Sequence, residues 1–365
     1  MNSHLAGKRV VVTGASGFIG RRLVQRLVQD GAEVTALVRS PSAAASVPDG
    51  ARSGLVSLLD TASLARAMDR ADVLFHLAYD VRASADENLR AFDATIDAAI
   101  RAGIGRIVHT SSIVVQDDWP ERDCTESGTT STRGGSPYRQ AKIAMEERLA
   151  QVPLPAAILR PTIVWGPGSA LWTDGFARAL LGGGVVLPDP IGLCNGVFVD
   201  DLVQAFLLAA GLPDLTHETF IISGPQPFSW AVLVDGYARI LETPPAIRVP
   251  ADEIARTLGP EPDESDTRPS AAARISALGR RVLGHRRFET MVAAIRDRVG
   301  RQRALYPNHH LFREYMGHGT CHIDHARNRL GYRPEYDLAR GLTACEPHLR
   351  ALKRRVTPAG QSRSA

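Results

Sequence analysis

Two hydrophobic periods alternate along the chain. Short runs of apolar residues with little polar interruption, at 10–12, 33–38, 54–59, 72–78 and 104–110, read as strands, the first of them buried on both faces. Between them the apolar residues recur every three or four positions. Phe18, Ile19, Leu23, Leu27 and Val28 form one such stripe, and 88–102 reads as a long amphipathic helix. Further on, helices are expected from Pro137 onward, through Ala210, and over 229–241, with a short strand at 219–223. Strand and helix alternate through most of the first 225 residues, which predicts an α/β architecture.

The join between the first strand and the first helix carries the first chemistry. Thr13-Gly14-Ala15-Ser16-Gly17-Phe18-Ile19-Gly20 places glycines at a spacing of three. Gly14 permits a tight turn, Gly17 lets backbone approach a pyrophosphate, and Gly20 lets helix pack closely on strand. The helix start then offers oriented N–H groups and a partial positive charge to a phosphate. The second strand ends at Arg39, where dinucleotide folds meet the adenosine ribose. An acid there binds a 2′-hydroxyl and an arginine accommodates a 2′-phosphate, so Arg39 points to NADP over NAD, with Arg21 and Arg22 as helpers.

The glycine spacing resembles the cofactor loop of the extended short-chain dehydrogenase/reductase family, also called the NAD-dependent epimerase/dehydratase family. The likeness runs from Lys8 to about residue 242 and resumes at His322–Pro334, which is similar to the family's final helix with its L-G-Y-x-P exit. It implies a doubly wound parallel Rossmann sheet with a smaller C-terminal substrate-binding lobe. Residues 1–170, completed by about 197–225, would form the dinucleotide-binding domain. Residues 171–196 and 226–350 would form the lobe, with a family-atypical insert at about 243–318 and a disordered tail at 353–365.

The resemblance also implies site residues. Cofactor contacts fall on Gly14, Ser16, Gly17, Phe18, Ile19 and Gly20, on Arg39, on the backbone of Ala78 in the H-L-A segment, and on Tyr138 and Lys142. The strand ending in Thr110-Ser111-Ser112 places the catalytic hydroxyl on Ser112, with Ser111 as the fallback. Ser136-Pro137-Tyr138 opens a helix on which Tyr138 and Lys142 stand four residues apart and share a face. A tyrosine with a pKa of ~10 is a poor acid or base at neutral pH; an ammonium one turn away favours its phenolate. Where relatives hold adenine with an aspartate near the end of strand three, this chain has Ser57, and its nearest acid is Asp60. Nucleotide-sugar enzymes often have asparagine where Ile163 stands and tyrosine where Trp165 stands. His76 reads as a packed strand histidine, Trp165 as packing beneath its loop, and Asp201 as the cap of its own helix.

Composition narrows the class. The chain is 44% hydrophobic and 22% charged over 365 residues, which suits a globular protein with a sizeable core. No run approaches the ~20 apolar residues that span a bilayer. Four scattered cysteines form no disulfide framework, consistent with a cytoplasmic location. The histidines and cysteine between His309 and His325 match no zinc spacing, so no metal is expected. Residues 271–304 form an arginine-rich amphipathic stretch. It is open to three readings: a solvated helix face, a weak membrane-surface contact, or arginines that reach an anionic substrate. No aromatic interleaving accompanies the charge, which argues against nucleic acid.

Together these residues point to an NAD(P)-dependent oxidoreductase that transfers hydride at a carbinol or ketone carbon of a small molecule through Ser112, Tyr138 and Lys142. The alternatives are a nucleotide-sugar epimerase and, from another class, a non-catalytic NADP-binding regulator. A homodimer through the two helices after strands four and five is a further option.

Overall fold

The computed structural model describes residues 4–131, 134–261 and 304–356. Six consecutive parallel strands build its centre: β1 (Arg9–Thr13), β2 (Glu33–Val38), β3 (Arg52–Leu55), β4 (Val73–His76), β5 (Arg106–Thr110) and β6 (Ala156–Pro161). A seventh, His217–Ile222, closes the far edge, giving the order His217–Ile222, β6, β5, β4, β1, β2, β3. Parallel strands need crossovers, and helices on both faces supply them.

Alternation along each strand divides the core. Val10 and Val12 face one way, with Phe75 and Val108, against Leu23 and Leu27 of the helix Phe18–Gln29 and Phe206 of the helix Val199–Gly211. Val11, Leu74, Ile107 and Ile158 face the other way, against Phe92 and Ile96 of the helix Ala85–Ala102 and Met145 and Leu149 of the helix Pro137–Leu149. The helix Ala85–Ala102 starts three residues before the periodic stretch read from the sequence, because Ser84 and Glu87 form a reciprocal capping box.

The lobe is organised by aromatic rings. Trp230 of the helix Trp230–Leu241 meets Trp172, Phe176 and Tyr315, the last from the helix His309–Met316. Trp165 is buried against Phe198 and Phe228, so it packs as its position suggested. Two short parallel strands, Val186–Asp189 and Ile247–Pro250, pair outside the main sheet. Among the described residues no helix is long and apolar enough to cross a membrane.

Four sequence expectations change. Strand three runs over Arg52–Leu55 rather than 54–59, because its register pairs Arg52 with Thr35 and Leu55 with Val38. Ser57 therefore lies beyond the strand, and Asp60 caps the helix Thr61–Ala67 by accepting from Ser63 N at 3.0 Å. Asp201 does not cap its own helix; its carboxylate accepts from Glu335 N and Tyr336 N at 2.8 and 3.0 Å and ties the returning chain to the helix Val199–Gly211. Arg22 is not free to help at a ribose, since it forms a two-pronged pair with Asp200 at 2.9 and 2.6 Å. Lys353 to Val356 belong to the helix Leu338–Val356, with Lys353 paired to Glu242, so helix extends into the expected tail. Residues 271–303 and 357–365 lie outside the described residues.

The loop after β5 is fastened from far along the chain. Glu314 accepts from Trp119 Nε1 at 3.0 Å, Arg313 pairs with Glu121, and Cys124 N donates to Thr320 O at 2.9 Å. Glu314 is buried and its second carboxylate oxygen has no partner, so burial raises its pKa to about 7. The folded chain thus holds a proton there that the unfolded chain releases above about pH 4.5. Stability should fall by about 3 kcal/mol as pH rises from there through 7. Glu314→Gln should match the parent in urea unfolding at pH 5 and exceed it at pH 8, with a flatter pH dependence between.

Candidate active site

The groove opens between β1 and β4, where the strand order reverses and successive crossovers leave toward opposite faces. Gly14 sits there at φ +67°, and a Cβ on it would lie 2.8 Å from the Leu77 carbonyl carbon. Gly20 is tighter still, since its Cβ would meet Gly14 O at 2.2 Å. Only glycine permits either approach. Gly17 is the N-cap of the helix Phe18–Gln29 and supplies no side-chain cap, so the first-turn amides, including those of Phe18 and Ile19, have no side-chain acceptor. That donor set fits the phosphate oxygens of a dinucleotide. Ser16 is half-buried beside it. Thr13 Oγ accepts from Leu77 N and Ala78 N, both at 3.2 Å, which locks the end of β4 against the end of β1.

Arg39 stands directly after β2 as expected, but its guanidinium is engaged. It is ion-paired with Asp80, in the loop after β4. Burial opposes ionisation of Asp80, yet the hydrogen bonds from Arg39 and the Arg82 amide hold its carboxyl below the usual range.

One turn of helix brings the three candidate catalytic residues together. Tyr138 stands beside Ser112, with Lys142 Nζ 5.9 Å from its ring centre, and Lys142 Nζ donates to Thr110 O at 2.7 Å. Ser112 also begins the single turn Ile113–Val115. Ser111, the fallback hydroxyl, is committed elsewhere: it donates to Glu146. Glu146 is buried and accepts a two-pronged pair from Arg160 at 3.0 and 2.6 Å.

The electrostatics differ from the simple tyrosine–lysine picture. Burial pushes Tyr138 up to about 12; the neighbouring Ser112 hydroxyl opposes this without overcoming it. The phenol is therefore a held proton, not a phenolate. Burial also pushes Lys142 down to about 8, against the pull of Glu146. His76 and His109 share a 3.0 Å contact between their Nδ1 atoms, so one ring donates to the other. Burial, with the Lys142 ammonium second, takes His76 down to about 3 and His109 well below the ordinary range, so both are neutral packed histidines.

Several contributors were not read from the sequence. Tyr79 lies edge-to-face with Tyr138, ring centroids 4.9 Å apart, and Lys142 Nζ sits 5.1 Å from its ring centre. Arg139 donates to Val114 O, Val115 O, Ser131 O and Gly134 O and pairs with Asp117, clamping the post-β5 loop onto the Tyr138 helix. Glu146 continues the four-residue spacing of Tyr138 and Lys142, a signal present in the sequence. Nothing local marks Tyr79 or Arg139. Among the described residues no cluster of three His, Cys, Asp or Glu side chains is placed to share a metal.

Comparison with known proteins agrees with this geometry. A family model described as NAD(P)H-binding matches residues 14–165. A 4-hydroxy-2-methyl-3-oxo-4-farnesyl-3,4-dihydroquinoline-1-oxide ketoreductase of Stigmatella aurantiaca is 35% identical over 43% of this chain and 51% of its own, so the chain spans about half of that relative. A UDP-glucose 4-epimerase of Mycolicibacterium smegmatis is 32% identical over 56% of this chain and 73% of its own. The structure of an epimerase from Methanothermobacter thermautotrophicus superposes with a TM-score of 0.71 over 96% of this chain and 95% of that one, at 18% identity, a likeness of fold.

The chain has only three lysines, Lys8, Lys142 and Lys353, so each can be followed by carbon-13 lysine NMR. One resonance, lost in Lys142→Arg, should titrate near pH 8. A desolvated cation on an aromatic face gains about 1–2 kcal/mol, so Tyr79→Leu should lower that midpoint by about one pH unit while Tyr79→Phe leaves it in place.

Proposed function

The chain belongs to the extended short-chain dehydrogenase/reductase (NAD-dependent epimerase/dehydratase) family, and on that premise we propose that it is an NADP-dependent reductase of a ketone carbonyl. The observation that carries the reading is the placement of Ser112 beside Tyr138 and of buried Lys142 one turn on, next to the uncapped helix start at Gly17.

A reduced nicotinamide, when bound, supplies the hydride. The first-turn amides of Phe18 and Ile19 would receive the pyrophosphate, and Gly14, Ser16, Gly17 and Gly20 line its approach. Arg39 would take the 2′-phosphate, and the Ala78 backbone borders the groove. Ser112 and Tyr138 share one substrate oxygen, which becomes negative as the carbonyl carbon is reduced. Tyr138 gives that oxygen its proton. A phenol raised to about 12 is protonated at neutral pH and so is ready to act as the acid in the direction of reduction. Lys142 offers positive charge to the phenolate that remains and, through Thr110 O, fixes the strand end that carries Ser112. Ser111 is bound to Glu146, which supports Ser112 as the reacting hydroxyl.

The epimerase reading draws on the Mycolicibacterium relative. Against it, Ile163 is buried and presents no polar group where nucleotide-sugar enzymes often carry asparagine, and Arg39 favours NADP.

Fluorescence titration should show tighter binding of NADPH than of NADH, with no cofactor retained through purification; retained NAD would favour the epimerase. Tyr138→Phe should bind NADPH like the parent yet lose about 10²–10⁴-fold in turnover of whichever ketone a carbonyl library identifies. Ser112→Ala should also lose turnover at unchanged NADPH affinity, whereas Ser111→Ala should show its larger effect on the unfolding midpoint.

A further inference from the structure

The Arg39–Asp80 pair joins two walls of the nucleotide groove. Arg39 follows β2 and Asp80 follows β4, and β1 lies between those strands. A contact between the two side chains therefore crosses the end of β1, where the turn at Gly14 packs on Leu77 and Ala78. The two partners are not equally free. Asp80 N donates to Asn88 Oδ1 at 2.8 Å, and Asn88 Nδ2 donates back to Asp80 O at 2.9 Å and to Ser84 O at 3.0 Å. The Arg82 amide holds the other carboxylate oxygen of Asp80 at 3.0 Å. Asn88 itself is buried. Arg39, by contrast, has a side chain 68% exposed, against 33% for Asp80. The loop thus holds a carboxylate in place and the arginine comes to it.

We propose that Asp80 is a specificity-determining residue that weakens NADP relative to NAD by occupying the guanidinium that a 2′-phosphate needs. This rests on the reading of Arg39 as the 2′-phosphate site. A carboxylate on Arg39 is a local substitute for that phosphate, and a dianion arriving there must displace it and then lie beside it. A ribose 2′-hydroxyl faces neither cost, because it can donate to the same carboxylate. The chain therefore carries both determinants in one ion pair: Arg39 favours NADP, and Asp80 limits how strongly.

The test is fluorescence titration of NADPH and NADH with the full chain, Asp80→Asn, Arg39→Ala and the double variant. Asparagine keeps the acceptor for the Arg82 amide, and unchanged thermal unfolding would establish that the loop is intact. Exposed ion pairs are worth up to about a fivefold factor, so Asp80→Asn should bind NADPH about fivefold tighter, with NADH unchanged or weaker. The gain should shrink with added salt and vanish in the double variant. If Arg39→Ala selectively weakens NADPH but Asp80→Asn leaves the NADPH-to-NADH ratio unchanged, the role of Asp80 is overturned while the reading of Arg39 stands. If Arg39→Ala leaves that ratio unchanged, both fall.

Discussion

The absence of any side chain at Gly20 is the constraint on which the site depends. Its α-carbon lies so close to the Gly14 carbonyl that a methyl group would overlap it. That contact seats the first helix directly on the turn after β1, with its uncapped amides at the strand ends. Gly14 in turn presses on the backbone of Leu77 and Ala78, and Thr13 clamps their amides. The end of β4, and with it Tyr79 and Asp80, is thereby placed relative to the helix start. A looser turn would separate the phosphate donors from the rings around Lys142.

The second organising element is a polar ladder along one helix face, buried at Lys142 and Glu146. Tyr138, Lys142 and Glu146 are spaced four residues apart, and Arg160 closes the far end. A buried ammonium is costly unless it is hydrogen-bonded and paired. Lys142 has the Thr110 carbonyl, two tyrosine rings and a carboxylate one turn on. Glu146 accepts from Arg160 and Ser111 together, so the two adjacent serines do different jobs: one ties strand to helix, and the other is left facing Tyr138. Selecting between the two hydroxyls is thus a consequence of where a distant carboxylate points.

Much of this was legible in the sequence, and the limits have physical causes. The bounds of β2 are legible because its β-branched and apolar residues run from Val34 and stop at the charged Arg39, and the glycine turn is legible because strand and helix signals flank it on both sides. The periodic helices were found, with ends that shifted where capping decided them, as at Ser84. What escaped were roles defined by a partner far along the chain. Asp201 looks like a helix cap until the segment at Glu335 returns to it. Arg39 looks like a free cation until Asp80 meets it. At Tyr138 the spacing reveals the lysine but not the desolvation around the phenol, which outweighs it in the chain alone.

The fastening of the post-β5 loop bears on the order in which the molecule can be completed during synthesis. Trp119, Glu121 and Cys124 find their partners at Glu314, Arg313 and Thr320, nearly two hundred residues later. The strands β1 to β6 and the glycine turn need no such late partner, whereas the edge strand His217–Ile222 is tied to Arg329 through Glu218, and Asp201 to the returning chain at Glu335. As the polypeptide leaves the ribosome, the nucleotide groove can therefore take shape while the neighbouring loop still lacks its anchor. Closing a contact over so long a stretch is slow compared with local helix formation. The nucleotide groove thus has its own contacts before the neighbouring loop has its anchor.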